Sequence, residues 1–206
     1  MPQKLQSRRP YGRFRGKYQI GIDEVGRGAL AGPVLVAAFA LPKRHGFGNI
    51  RDSKKLTPRA REECLRRLGK DVSVAWAFAS SSAKTIDRVN IRRATNRAAC
   101  LAYLRLTARY PELSAARVIL DGGLSLGPRI RHTAYVRGDE RFPAIACASI
   151  VAKVRRDAIM VRFGECNPAY EFHAHKGYGT VRHRRALRRH GPSEAHRLTF
   201  LRNFLR

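Results

Sequence analysis

Two apolar runs separated by a glycine-rich turn set the first limit on how this chain folds. Residues 18–22 place apolar side chains alternately at Tyr18, Ile20 and Ile22, and residues 33–41 are apolar almost throughout. Short runs of this kind bounded by glycine read as consecutive β-strands joined by a tight connection, and residues 72–79 supply a third. Residues 84–110 then carry Ile86, Val89, Ala94, Ala98, Leu101, Leu104 and Ala108 near the helical period, which predicts one long amphipathic helix ended by Pro111. Residues 117–121 predict a brief buried strand and residues 133–136 another. Helical patterns return over 144–163 and 180–189, with a short segment near 195–204. Strands arranged around a long helix imply a mixed α/β domain.

The surface chemistry is one-sided. Lys and Arg number 42 against 15 Asp and Glu, for a formal net charge of +27. Such a chain seeks polyanions, and a nucleic-acid backbone, which releases counterions when neutralised, is the natural partner; an acidic membrane surface is the weaker one. No uninterrupted apolar stretch approaches the roughly 20 residues that span a bilayer, and no long apolar segment follows the basic N-terminus as a signal peptide requires. Residues 1–17 read as a flexible basic arm, either a solvated tail or a nonspecific phosphate binder. Residues 18–206 read as a single domain, whose core the chain's 44% hydrophobic content can supply. Cys64, Cys100, Cys147 and Cys166 form no C-x-x-C pair, so they read as reduced, mostly buried thiols of a cytoplasmic protein rather than a zinc site or disulfide framework.

In so cationic a chain the informative residues are the acids inside apolar strands. Asp23 and Glu24 close the first run, and Asp121 closes Val118, Ile119 and Leu120. A buried carboxylate needs a counter-ion or hydrogen-bond partners to offset desolvation. Metal ions are one such partner; turn amides and the abundant arginines are others, and Asp121 before Gly122 also suits an ordinary Asp-Gly turn. Neighbouring strand residues point to opposite faces, so Asp23 and Glu24 share a site only if the chain curls there, which Gly26 and Gly28 permit. Asp139, within residues 137–141, reads as part of a charged loop that spacing alone does not promote.

Taken together the motifs become specific. Residues 21–34 run Gly-Ile-Asp-Glu-Val-Gly-Arg-Gly-Ala-Leu-Ala-Gly-Pro-Val. In order there follow Asp52-Ser53-Lys54-Lys55-Leu56, Ile86-Asp87-Arg88-Val89-Asn90-Ile91, Leu120-Asp121-Gly122, Gly138-Asp139, residues 148–157 beginning Ala-Ser-Ile-Val-Ala-Lys, and His175-Lys176-Gly177-Tyr178-Gly179-Thr180. This set resembles ribonuclease HII in order and spacing from about residue 18 to residue 200.

The resemblance implies an RNase H-like fold: a mixed five-stranded sheet flanked by helices, with a C-terminal helical segment that helps grip a duplex. It implies that Asp23, Glu24, Asp121 and Asp139 are catalytic and hold two divalent ions, Mn2+ or Mg2+, about 3.5–4 Å apart for in-line displacement at phosphorus. The implied substrates are RNA/DNA hybrids and DNA duplexes with embedded ribonucleotides, cut to leave 5′-phosphate and 3′-hydroxyl ends. Gly26, Arg27 and Gly28 match the loop that reads the ribose 2′-hydroxyl through backbone groups, and Tyr178 the tyrosine beside the RNA-to-DNA junction. Ser53, Lys54 and Lys55 match a phosphate-contacting loop, with Lys153 and Lys176 as further candidates. His173 and His175 do not suit a hard cation, and Asp157 reads as an ion-pair partner of Arg155, Arg156 or another helix. A monomer is expected, and contact with a replication clamp stays open.

Gly123 stands where many relatives have Asn and Ala29 where Pro is frequent, which bears on substrate preference rather than reaction class. Two other readings remain at this point. One is a nonenzymatic basic protein that binds RNA or the ribosome. The other is an enzyme of the ribonuclease HIII type, which typically has Thr at the position of Arg27.

Overall fold

The computed structural model describes residue 14, residues 17–46 and residues 56–202. Most of the expected basic arm, and the Ser53, Lys54 and Lys55 loop, lie outside the described residues. The elements run β1 (Tyr18–Val25), β2 (Val34–Pro42), α1 (Pro58–Lys70), β3 (Ala75–Ser81), α2 (Ala83–Val89), α3 (Ile91–Arg109), β4 (Arg117–Asp121), β5 (Thr133–Tyr135), α4 (Gly138–Arg141), α5 (Pro143–Cys166), α6 (Phe172–His175), α7 (Val181–His190) and α8 (Leu198–Leu201). The sheet order is β3-β2-β1-β4-β5, with β1, β2 and β3 antiparallel and β4 parallel to both β1 and β5. This is the mixed five-stranded, helix-flanked RNase H-like arrangement that the resemblance implies, with α7 and α8 as its C-terminal helical segment.

Strand alternation divides the core in two. Ile20, Ile22, Val36, Ala38, Ala40, Val118 and Leu120 pack with Ala98, Ala102 and Leu106 of α3. Their neighbours Leu35, Ala37, Phe39, Leu41 and Ile119 pack with Ala144, Cys147, Ala148 and Val151 of α5. With both faces covered, β2 is buried from Val34 to Leu41, which is why its sequence is continuously apolar rather than alternating. Gly21 is the closest approach between layers: a Cβ there would lie 2.1 Å from the Ala144 carbonyl carbon and 2.3 Å from the Ile145 nitrogen. Only glycine lets α5 start directly against β1, and that seating carries Ser149, five residues along the helix, to the end of the strand where Asp23 sits.

Three local features differ from the sequence expectation. The helix predicted over 84–110 is two helices, because Asn90 takes φ +66° and its side-chain oxygen accepts from the Arg93 N–H at 3.0 Å, capping α3. Helix α1 has no counterpart in the apolar pattern, since Leu68 is its one fully buried side chain; its signal was the cap, Thr57 accepting from Ala60 N–H ahead of Pro58. Asp139 lies in the first turn of the short helix α4 rather than in a loop. The cysteines are free, with Cys147 buried, Cys64 and Cys100 partly so, and Cys166 exposed.

A third cluster joins Leu30 and Met160 to Phe172, Leu187 and Leu201. Beside it run buried histidines whose tautomers the hydrogen bonds assign. Ser193 N–H donates to His196 Nδ1 at 2.9 Å, so His196 Nε2 carries the proton and donates to His183 Nε2 at 3.0 Å; His183 Nδ1 then donates to the Tyr178 carbonyl at 3.0 Å. A proton added to either ring would set two N–H groups against each other. Burial, with smaller repulsion from neighbouring histidines, pushes both rings down to about 4, below the ~6.5 of an unfolded histidine. The folded chain therefore binds fewer protons than the unfolded chain below pH ~6.5, so this contribution is complete above that pH and is lost as pH falls toward 4. Urea midpoints measured from pH 7 to 4 are expected to fall more steeply for the intact protein than for His183→Gln; parallel profiles would contradict the assignment.

Candidate active site

The carboxylates converge because of register. Strands β1 and β4 are parallel, with Ile22 beside Leu120, so the next residues, Asp23 and Asp121, emerge together at the carboxyl ends of adjacent strands. Both continue the side of the sheet that faces α5, since Gly21 and Ile119 two residues earlier contact that helix. Glu24 belongs to the opposite face by alternation, yet at the strand's end, just before Gly26 at φ +87°, its longer side chain also reaches the shared space. One oxygen from each of Asp23, Glu24 and Asp121 lies within 4.8 Å of the others, the arrangement that the first-strand acids needed a curl in the chain to achieve.

These groups are held away from water. Asp23 is 4% exposed. Its Oδ1 accepts the Glu24 backbone N–H at 2.7 Å. Burial, reinforced by the charges of Glu24 and Asp121, holds its carboxyl well above the usual carboxylate range, and a hydrogen bond from Ser149 opposes this only in part. Burial likewise raises Glu24, against an opposing hydrogen bond from Arg27, whose Nη1 donates to Oε1 at 3.2 Å. Glu24 Oε2 is buried with no hydrogen-bond partner among the described residues. An all-oxygen donor set, mutual repulsion and an unsatisfied carboxylate oxygen are the features a hard divalent cation would relieve. Asp121 is oriented from the other side, its Oδ1 accepting the Gly138 N–H at 2.7 Å.

The acids open into a cleft of about 410 Å³ that also presents Gly26, Arg27, Gly28 and Tyr178. With Lys153, eight of the residues singled out in the sequence thus share one site. Asp139 is not one of the three clustered carboxylates; it is 3% exposed and follows Gly138, the residue whose amide holds Asp121. Lys153 is in the cleft, 5.9 Å from the Tyr178 ring centre, and its ammonium donates to Asp157 at 2.9 Å. Asp157 therefore makes its ion pair with Lys153, one turn earlier on the same helix, while its charge also acts on Arg156. Lys176 does not line the cleft, and its ammonium donates to the His173 carbonyl. Sequence reasoning missed Arg61, which α1 brings to the cleft, because the helix itself went unread. It also passed over Ser149, although the residue lies inside a quoted motif and four residues before Lys153 on the same helical face.

Comparison with known proteins agrees with this geometry. The family model described as Ribonuclease HII matches residues 20–203. A ribonuclease HII of Caldicellulosiruptor bescii is 40% identical over 189 residues, covering 92% of this chain and 89% of that protein. A ribonuclease HII of Alkaliphilus metalliredigens is 43% identical over 186 residues, covering 90% and 91%. The fold is shared with the solved PCNA:RNase HII complex of Archaeoglobus fulgidus, at a TM-score of 0.68 and 24% identity over 87% of this chain and 93% of that one. The chain belongs to the ribonuclease HII family.

Proposed function

We propose that this protein is an endonuclease that hydrolyses the RNA strand of RNA/DNA hybrids and incises DNA on the 5′ side of embedded ribonucleotides, leaving 5′-phosphate and 3′-hydroxyl ends. The observation that carries the reading is the cluster of Asp23, Glu24 and Asp121 in one cleft with residues 26–28 and Tyr178. Family membership supports the reaction class, and the net charge of +27 suits a nucleic-acid substrate.

Asp23, Glu24 and Asp121 would hold the metal, with Asp139 as the fourth carboxylate. Mn2+ or Mg2+ suits these oxygen ligands better than softer ions do. A pair of such ions, when bound, supplies charge stabilisation to the attacking and leaving oxygens of the phosphodiester. The chain's own part is positional. Ser149 and the Glu24 amide orient Asp23, and the Gly138 amide orients Asp121. Arg61 and Lys153 offer cations to the phosphates, which fixes a duplex without reading its sequence. Residues 26–28 would meet the ribose, where Gly28 leaves open space: nothing lies within 4 Å of a Cβ built on it. Tyr178 would stack beside the nucleotide at the RNA-to-DNA junction, its ring held between Lys153 and the Arg156 guanidinium 5.3 Å from its centre. We extend the proposal to a cytoplasmic monomer, and to a clamp partner on the analogy of the A. fulgidus complex.

Asp121→Asn keeps the shape of the side chain while removing its charge. Cleavage of a duplex with one ribonucleotide, with Mn2+ or Mg2+, is expected to fall by more than about 100-fold, the upper end of what even outer-shell partners of a metal cost, with duplex binding retained. Unchanged cleavage would remove Asp121 from the catalytic set, and no cleavage by the intact protein with either metal would favour a nonenzymatic basic protein. Tyr178→Ala is expected to lose rate preferentially at a single embedded ribonucleotide compared with a run of four, with the melting temperature preserved. Equal losses on both substrates would remove the tyrosine's assigned role, and an intact protein that cuts only the run would point to a ribonuclease HIII type of specificity.

A further inference from the structure

The segment from Gly26 to Pro33 is fastened from behind by two arginines that are themselves completely buried, Arg156 of α5 and Arg197 just before α8. Arg197 donates from Nη2 to the Gly26 carbonyl at 2.7 Å, from Nη1 to that of Arg27 at 2.9 Å, and from Nε to that of Gly32 at 3.0 Å. Arg156 donates from Nε to Pro33 at 2.9 Å, from Nη2 to Ala31 at 3.1 Å, and from Nη1 to the Lys176 carbonyl at 2.9 Å. A guanidinium presents donors in a fixed fork, so each arginine ties several carbonyls at set positions, which lysine cannot do. All these partners are backbone oxygens. Burying two cations with no carboxylate among their hydrogen-bond acceptors is an expensive way merely to close a loop.

The direction of the peptides gives the arrangement a purpose. In a trans peptide the carbonyl of one residue and the N–H of the next point opposite ways, and the described residues contain no cis bond. With the Gly26 and Arg27 carbonyls turned back onto Arg197, the Arg27 and Gly28 amides must point away from it, toward the cleft that these residues line. We infer that Arg197 is a positioning residue that aims these two backbone donors at the sugar and so sets the preference for ribose. The inference rests on the reading of residues 26–28 as the part that meets the ribose.

Arg197 is held in turn by a strap. Residue 196 bridges to Ala31, Arg197 N–H donates to the Leu30 carbonyl at 2.9 Å, and Gly32 N–H donates to Ala195 at 2.8 Å. The Asp87 carboxylate on α2 anchors the far side, accepting from Leu198 N–H at 2.8 Å, Thr199 N–H at 3.0 Å and the Thr199 hydroxyl. This gives the motif at residues 86–91 a task outside the cleft: Asp87 sets the strap, the strap places Arg197, and Arg197 aims the loop.

The test compares two duplexes identical except for one sugar, ribose or 2′-fluoro-2′-deoxyribose, at the scissile nucleotide. The readout is the ratio of kcat/KM between them for the intact protein, Arg197→Lys, Asp87→Asn and Gly28→Ala. In Arg197→Lys the preference for ribose is expected to fall at least about tenfold, the size of one aimed hydrogen bond, through loss on the ribose substrate. Asp87→Asn is expected to shift it the same way by a smaller factor, and the Mn2+ concentration for half-maximal cleavage should not move in either. A uniform fall on both sugars, or an unchanged ratio, overturns the inference; if Arg197→Lys does not fold, Asp87→Asn decides alone on the same terms. Gly28→Ala places a methyl group in the open space before the sugar. If it leaves the ribose preference intact, the reading of the loop fails; if it abolishes the preference while the Arg197 and Asp87 variants keep it, only the inference fails.

Discussion

Like charges gathered away from water repel, and the site is organised around that cost. Asp23, Glu24 and Asp121 bring oxygens within 4.8 Å of one another at the ends of two parallel strands. Burial holds the Asp23 carboxyl well above its usual range, with its two neighbours adding to the shift. A chain free to relax would spread these groups into solvent. What prevents it is the fold: Gly21 seats α5 against β1, the β1 and β4 register sets Asp23 beside Asp121, and the Gly138 amide fixes Asp121. The cluster is a local sacrifice of stability for a site that binds cations, the pattern expected where function and folding compete.

A second use of the same logic stands behind residues 26–33, where the buried charges are positive. There the guanidiniums of Arg156 and Arg197 are met by backbone carbonyls, and the Gly26 and Arg27 carbonyls held by Arg197 would leave the following two amides turned toward the cleft that residues 26–28 line. Acids on one wall and aimed amides on the other divide the labour: the first would hold the metal, the second would meet the sugar. The histidine chain through His196 and His183 ends on the Tyr178 carbonyl, so the third wall is also fixed from the C-terminal segment.

Much of this was legible in the sequence, for identifiable reasons. The central strands were readable because buried sheet demands continuous apolar runs, and the acids stood out because they interrupt such runs in a cationic chain. Residue pattern alone left the partners of Asp23, Glu24 and Asp121 open; the ordered motifs resolved the chemistry and added Asp139, which nothing local would have selected. What stayed hidden depended on single contacts rather than periodicity. The break at Asn90 turns on one positive φ and one cap, and α1 buries too little apolar surface to show a period. Arg197 carried no signal in the sequence and Arg156 entered only as an ion-pair candidate for Asp157, because no pattern marks an arginine whose partners are, the Lys176 carbonyl apart, carbonyls 123 to 171 residues away in the chain.

The central claim is that the clustered carboxylates burden the fold until a cation offsets them, and melting curves at pH 7.5 with and without Mn2+ test it directly. Asp23→Asn should melt above the intact protein when metal is absent, by about 2–4 °C for each kcal/mol of repulsion and desolvation relieved, and should lose most of the rise that Mn2+ gives the intact chain. A variant that melts lower without metal and gains as much from Mn2+ as the intact protein would contradict the account.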